Sequence, residues 1–273
     1  ALHGLMRVRC FTQYDAHISC MSGPVEKEVL GIMDLCRYIY KDVFDFNYRV
    51  ELSTRPENSM GDAAQWEAAE AALKEALESS GTTYRINEGD GAFYGPKIDF
   101  HLEDCIGRTW QCGTIQLDFQ MPERFDLTYV GADGKEHRPV MLHRTILGSV
   151  ERFLGILIEN YAGAFPFWIA PVQVKLIPIQ TLVGESHEQY ARELVEIFKG
   201  WGLRVEIDSR DEKLGKRIRD AQLQKVPYMI VVGDKEVESR LVAVRERSKG
   251  DLGSMSIGAF KSVWEAEFSP LKN

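Results

Sequence analysis

The chain has 273 residues, is 44% hydrophobic and carries a formal charge of −8 at pH 7, enough length and apolar content for one large or two ordinary folded domains, and it is not basic all over. No run of 18 apolar residues occurs, which argues against a membrane-spanning helix, and the first residues lack the basic-then-apolar order of a secretory signal. Five cysteines at irregular spacing (Cys10, Cys20, Cys36, Cys105, Cys112), with no CxxC pair, imply reduced thiols and a cytosolic setting.

Arg7 to Cys20 (RVRCFTQYDAHISC) reads as one extended strand. A period of two puts Arg7, Arg9, Phe11, Gln13, Asp15 and His17 on one face and Val8, Cys10, Thr12, Tyr14, Ala16 and Ile18 on the other. The first face lines up guanidinium groups, a ring, an amide, a carboxylate and an imidazole, which reads as a site; the second reads as core. At about 3.3 Å per residue, Phe11 to His17 spans roughly 20 Å, room for a nucleotide beside a second small ligand. Ser22, Gly23 and Pro24 offer a cap and a first helical position. Val25, Val29, Ile32, Cys36, Ile39 and Val43 then recur at helical spacing, so residues 24–44 are predicted to form an amphipathic helix.

Residues 46–53 alternate like a strand, and the Ala-, Glu- and Leu-rich stretch 62–79 reads as a helix stopped at Gly81. Short strands are predicted at 84–87, 97–102, 109–119 and 125–130, with a hairpin turn at 132–135, and their short connections imply an antiparallel sheet. Residues 143–161 read as a strongly apolar helix with Leu147, Val150, Leu154, Leu157 and Ile158 inside. On such a helix Gly148 lies one turn from Arg152, a notch beside a guanidinium that suits either an anionic ligand or a structural carboxylate.

The proline- and aromatic-rich stretch 163–171 marks a domain boundary. Beyond it, strands at 172–179, 203–207 and 228–232 alternate with helices at 186–199 and 212–225, so these strands should be parallel. Ser186 and Gln189 have the spacing of a capping box; a strand at 241–247 and a helix at 257–267 close the chain. Residues 1–171 carry 16 Lys and Arg against 25 Asp and Glu, and residues 172–273 carry 17 against 16, so the acidity belongs to the first part. Arg210 to Lys225 holds six basic and three acidic residues; a solvated helix face and a local polyanion contact both account for it.

Several stretches carry a resemblance to a known family. Arg7-x-x-x-Phe11 resembles the second half of motif 2 of class II aminoacyl-tRNA synthetases, and Gly148-Ser149-Val150-Glu151-Arg152 resembles their motif 3. More narrowly, FTQYDAH, FYGPKIDF, WQCGTIQLDF, MLHRTILGSVERF and the later VPYMIVVGDKE with VAVR resemble threonyl-tRNA synthetases, in order over essentially the whole chain. The resemblance implies an α+β catalytic domain over residues 1–168, with an antiparallel sheet flanked by helices. A smaller α/β anticodon-binding domain with a mixed sheet would follow over residues 172–273.

It also implies roles. Catalysis would rest on Arg7, Lys97 and Arg152; ATP would meet Arg7, Phe11, Gln111 and Arg152; the substrate and adenylate would meet Gln13, Asp15, Tyr94, Lys97 and Gln116. His17 and His143 would hold Zn2+ with a Cys upstream of this chain, and Mg2+ would accompany ATP. A metal that demands the substrate hydroxyl as a ligand rejects valine where an apolar pocket cannot. Arg219, Lys225, Glu236 and Arg245 match anticodon-contact positions, with Asp211 a weaker match. The implied partners are ATP, threonine and tRNA(Thr), in a cytoplasmic homodimer, with no membrane and no DNA.

Departures accompany the match. The chain begins within motif 2, so motif 1 and the first half of motif 2 lie outside it, and Tyr14 stands where the family often carries an acid. The chain is therefore expected to be part of a longer enzyme. Cys10 and Cys20 lie at odd offsets from His17 and are poor substitutes for the missing Cys. Gln111 and Gln116 are an odd number apart, so for both to reach one site the strand must bulge near Cys112-Gly113. The alternatives are a synthetase-like tRNA-binding or regulatory module without catalysis, or a prolyl-type synthetase.

Overall fold

The computed structural model describes residues 2–21, 23, 25–180, 182–183 and 185–267. The chain forms two compact units, Ala1–Glu159 and Asn160–Asn273. Among the described residues no helix is long and apolar enough to cross a membrane.

The first unit runs β1 (Gln13–Cys20), α1 (Val25–Arg37) with a π-helical turn at Tyr38–Val43, β2 (Tyr48–Ser53), α2 (Ala63–Ser79), β3 (Tyr84–Asn87), β4 (Lys97–Glu103), β5 (Thr109–Asp118), α3 (Gln120–Arg124), β6 (Tyr129–Val130), β7 (Glu136–His137), β8 (Val140–Ser149) and α4 (Val150–Tyr161). The sheet order is β1-β8-β5-β4-β2-β3. Neighbours are antiparallel except β2 and β3, which run parallel through the α2 crossover. Ile98, Phe100 and Leu102 alternate along β4 and are fully or almost fully buried, as are Ile115 and Leu117 of β5, Val29 and Cys36 of α1 and Leu73 and Leu77 of α2. One face of the sheet is thus the core, and the other is polar.

Several expectations change here. Ser22 and Pro24 lie outside the described residues. β1 starts at Gln13, because only from there does the chain pair with β8; Arg7 instead closes a tight turn with His3 (Arg7 N to His3 O 3.2 Å). The second face of the expected strand is not core: Cys10 and Thr12, which precede β1, and Tyr14 within it are exposed. The π turn adds a residue to the helical period and buries Tyr40 completely, leaving Ile39 and Val43 half-buried.

Residues 143–149 are not helical but complete β8, which is paired on both sides, with β1 and β5; those two ladders override the helical spacing of the apolar residues. Gly148 therefore ends a strand rather than lying one helical turn from Arg152. Its φ is +62°, and a Cβ there would lie 2.7 Å from the Cys112 carbonyl oxygen, so both backbone conformation and close approach call for glycine. Helix α4 buries Phe153, Ile156 and Leu157, while the expected inner residues Val150, Leu154 and Ile158 are partly exposed. Of the segment 125–130 only Tyr129–Val130 is strand, joined to β7 across the expected turn.

The second unit holds a 3-10 turn at Phe167–Ile169, then β9 (Val174–Pro178), α5 (Ser186–Gly200), β10 (Val205–Ile207), α6 (Leu214–Leu223), β11 (Tyr228–Val232), α7 (Asp234–Ser239), β12 (Leu241–Glu246), β13 (Gly250–Ser256) and α8 (Ile257–Glu267). The sheet order is β10-β9-β11-β12-β13. The first three strands are parallel, as the alternation requires, and the last two add antiparallel, giving a mixed sheet. Val174, Tyr190, Phe198, Ile230, Phe260 and Trp264 belong to the larger core cluster, and Ile177, Ala221, Val226 and Met229 form a smaller one. The Ser186/Gln189 capping box is not formed, because Glu185 takes the cap position and Ser186 is the first helical residue.

Candidate active site

The polar face of the first sheet is organised by register. His17 of β1 pairs with His143 of β8, His143 with Gln116 of β5, and Gln116 with Lys97 of β4. One row further along, Asp15 pairs with Thr145, Thr145 with Thr114, and Thr114 with Asp99. Cross-strand neighbours lie about 5 Å apart, so side chains from four distant segments meet in two parallel rows. The expected bulge is present: Phe100 pairs with Gly113 but His101 with Gln111, leaving Cys112 as the extra residue. That shift brings Gln111 onto the face of Gln116.

Two hollows share Gln13, Gln111, Thr114 and Thr145 as a common wall. The first, about 480 Å³, is lined also by Asp15, Tyr94, Lys97, Gln116 and His143. The second, about 380 Å³, is lined also by Arg7, Phe11, Gly148 and Arg152. Phe11 is 55% exposed and offers an aromatic face to the second hollow. The Arg152 guanidinium donates to the carbonyls of Met6 (3.0 Å) and Gln111 (3.2 Å) and lies over the Trp110 ring. Glu151 accepts from the Thr12 amide and the Ser149 hydroxyl at 3.0 Å, tying the segment that carries Phe11 to the start of α4. Hydrogen bonds from its own amide and that of Thr12 hold its carboxyl below the usual value.

In the first hollow the Tyr94 hydroxyl donates to Gln116 Oε1 at 2.8 Å. Burial, with the carboxylates of Asp118 and Asp15 nearby, raises the Tyr94 phenol and keeps it a donor. Gln116 is 7% exposed, and its Nε2 has no partner among the described residues, an orphan donor in the wall of the hollow. Lys97 pairs with Asp99 at 2.7 Å and with Asp90 at 3.5 Å.

The His17 and His143 rings meet edge to face with centroids 4.3 Å apart. His143 Nε2 bonds Asp118 Oδ2 at 2.8 Å, which leaves Nδ1 as its open nitrogen. Burial alone would raise the Asp118 carboxyl, but that bond and the amides of Met121 and Gln120 outweigh it and hold it low. Asp15, His17 and His143 offer ligand atoms within 4.8 Å of one another, and imidazole with carboxylate suits a first-row divalent ion. Asp15, expected only as a substrate contact, thus lies within reach of the same ion. No described thiol joins them: Cys10 is exposed outside β1, Cys20 donates to the Val140 carbonyl, and burial pushes Cys36 and Cys112 up to about 12.

The structure therefore gathers Arg7, Phe11, Gln13, Asp15, Tyr94, Lys97, Gln111, Gln116, His143 and Arg152 around the two hollows, with His17 against His143. Sequence reasoning missed Asp99, Asp118 and Glu151, all inside the quoted motifs. The signal available was an acid alternating with buried apolar residues in KIDF and QLDF. Of the anticodon candidates, Arg219 is exposed on α6, and Lys225 is exposed just past its end. Glu236 is 8% exposed and accepts from the Gly233 amide and the Ser254 hydroxyl, a bond set that caps α7. Arg245, half-buried on β12, faces Asp251 at 3.4 Å, and its Nε is buried without a partner among the described residues.

The family profile described as tRNA synthetase class II core domain (G, H, P, S and T) matches residues 1–161, and that of an anticodon binding domain matches residues 173–267. A protein of Desulforamulus reducens named threonine–tRNA ligase is 61% identical over 260 residues, 95% of this chain and 40% of its own length. One of Clostridium botulinum (strain Langeland) with the same name is 65% identical over the same shares. A crystal structure described as the RNA binding domain of threonyl-tRNA synthetase from Cryptosporidium parvum Iowa II superposes with a TM-score of 0.89 at 39% identity, covering 98% of this chain and 66% of that one. The chain thus spans about two fifths of the length of the curated relatives it matches.

Proposed function

The chain belongs to the class II tRNA synthetase family, and from that premise we propose that it is the catalytic and anticodon-binding portion of a threonine–tRNA ligase. The observation that carries the reading is the row His17–His143–Gln116–Lys97: two imidazoles 4.3 Å apart beside an ammonium, bordering a polar hollow with an unmet donor. The high identity to ligases of that name supports it. Catalytic residues 1–168 and anticodon-binding residues 172–273 are our division of the chain.

Adenylate formation is attack of the amino acid carboxylate on the α-phosphate of ATP with release of pyrophosphate, a reaction that needs placement and charge neutralisation more than a protein nucleophile. In this reading the second hollow takes ATP: Phe11 stacks on the base, Arg7 and Arg152 meet the far phosphate, and Gln111 borders the ribose and the shared wall. The first hollow takes threonine, with Gln13, Asp15, Tyr94 and Gln116 around it and Lys97 set against the reacting carboxylate and phosphate. His17 and His143 would hold Zn2+, with a further protein ligand outside the chain or with Asp15. The bound ion would supply a Lewis acid that takes the substrate hydroxyl as a ligand and so excludes valine. Mg2+ accompanies ATP. Asp118 fixes the His143 ring, so the nitrogen left open is set before any ligand arrives.

In the second unit we assign Arg219 and Arg245 to the anticodon of tRNA(Thr) and Lys225 to its backbone, with Glu236, whose carboxylate is engaged in capping α7, as a support for that surface. A cytoplasmic homodimer is the assembly we assign to the full-length protein. The test is threonine-dependent ATP/pyrophosphate exchange by that protein. His17→Ala is expected to lower exchange at least a thousandfold, and valine, which lacks the hydroxyl, should support no exchange in the unaltered protein. Exchange dependent on proline would support the prolyl-type reading, and no exchange by the zinc-loaded protein would leave a tRNA-binding module.

A further inference from the structure

Asp99 is 1% exposed and lies beneath the wall that the two hollows share. Its Oδ2 accepts from the Ser53 hydroxyl at 3.0 Å and pairs with the Lys97 ammonium at 2.7 Å. Its Oδ1 accepts from Gln111 Nε2 at 2.5 Å and from the Thr114 hydroxyl at 2.8 Å. Those donors come from β2, β4 and β5. Three of the four, Lys97, Gln111 and Thr114, line the hollows themselves.

A buried carboxylate requires partners whatever its purpose, and Asp104 shows what a fold-holding one looks like. Asp104 is as buried, but it accepts from the amides of Ile106 and Arg108 and from Arg108 and Trp110, around a turn. Among the described residues Asp99 bonds to no backbone amide, and each of its oxygens meets a side chain of the site. Because a carboxylate only accepts, the Gln111 amide must turn its NH₂ group toward Asp99, so it offers the hollows an acceptor, Oε1. Lys97, with a flexible four-carbon stem, is held in one placement instead of many.

We propose that Asp99 is the positioning residue of adenylate formation, one buried charge that sets Lys97 and Gln111 together across the boundary between the threonine and ATP hollows. The proposal rests on the ligase reading for its reaction but not for its geometry. It also assigns Gln111 a specificity: that amide accepts from a ligand hydroxyl or amino group and cannot serve a bare phosphate oxygen.

The test uses the full-length protein. In Asp99→Asn, kcat for exchange is expected to fall about a hundredfold, as misplacement of a reacting group does, with KM for threonine and ATP changing much less. Lys97→Met is expected to be slow as well, and the double variant to lose much less than the product of the two single losses. A purely structural Asp99 predicts additive losses tracking a lowered melting temperature, and that result would overturn the proposal. Acylation of Lys97 by acetic anhydride, followed by mass spectrometry without ligands, gives a readout independent of turnover. The rate should rise severalfold in Asp99→Asn, and an unchanged rate would overturn the proposal. Should Asp99→Asn fail to fold, Asp99→Glu keeps the charge but displaces it by a methylene: Lys97 should stay protected while exchange stays slow, and wild-type exchange in that variant would overturn the proposal. Wild-type protein without threonine-dependent exchange would remove the ligase reading, while the acylation comparison still decides Asp99.

Discussion

The two units differ in what most of their buried charge described above is bonded to. In the first, the buried carboxylates Asp99 and Asp118 take hydrogen bonds from Lys97, Gln111 and His143, side chains that open onto the hollows. In the second, the buried Arg217 donates to the carbonyls of Pro178, Asp208, Glu212 and Ile179, and Glu236 caps a helix. There Arg219 and Lys225, two of the basic residues proposed for RNA, stand at the surface. A site for small reacting molecules has its groups set beforehand from below, whereas a surface for a flexible polymer needs only a firm platform.

Activity and stability should therefore come apart between the units. The largest effect, after the loss of exchange in His17→Ala, is expected for Arg217→Met. It leaves four carbonyls without their donor and should cost about 3 kcal/mol, read as faster amide exchange in β9 and α6 by mass spectrometry. Next is Gly148→Ala, where left-handed backbone and the nearby Cys112 carbonyl act together; about 2 kcal/mol of stability is expected to go, with a weaker affinity for ATP in calorimetry. In the second unit Arg245→Ala should weaken tRNA binding by about 1 to 3 kcal/mol and only for the cognate anticodon, whereas Lys225→Ala should weaken all tRNAs alike and flatten the salt dependence. Equal losses on every tRNA for both variants would break the proposed division between base and phosphate contacts.

The smallest effect is one of pH. Burial alone would raise the Asp104 carboxyl, but Trp110, the Arg108 side chain and the amides of Arg108 and Ile106 outweigh it and hold it below the usual value. A depressed folded value means the contribution to stability is complete above the ordinary carboxylate range and is lost as the pH falls through the lowered value. Asp104→Asn is expected to be less stable at pH 7 by about 1 kcal/mol and to lose less on acidification than wild type, in urea titrations from pH 7 to pH 2.

Much of the site was legible because its residues fall in motifs quoted whole, from FTQYDAH to GSVER. The bulge at Cys112 was legible too, from parity alone: two amides an odd number apart with a glycine between. The phase of α4 and the true nature of residues 143–149 were not, since HRTILGS satisfies a helical period as well as an extended one and only the ladders to β1 and β5 decide between them. Asp99 and Asp118 escaped notice because an acid within an apolar strand carries no mark of what bonds to it. Helix α7 spans Asp234–Ser239, six residues, too few to show a period. The strand expected from Arg7 was half right, because alternation describes side-chain direction but not whether a neighbouring strand exists to pair with.

The row from His17 to Lys97 makes the chemistry depend on phase. Deleting a residue at the tip between Val130 and Glu136 should leave the proposed ligand contacts intact. Deleting one beside Leu142 would turn the histidine away from its companion and bring the strand's greasy side to the substrate. Length can drift in the connections of this sheet, but along the four strands that meet the ligands every residue is a counted step.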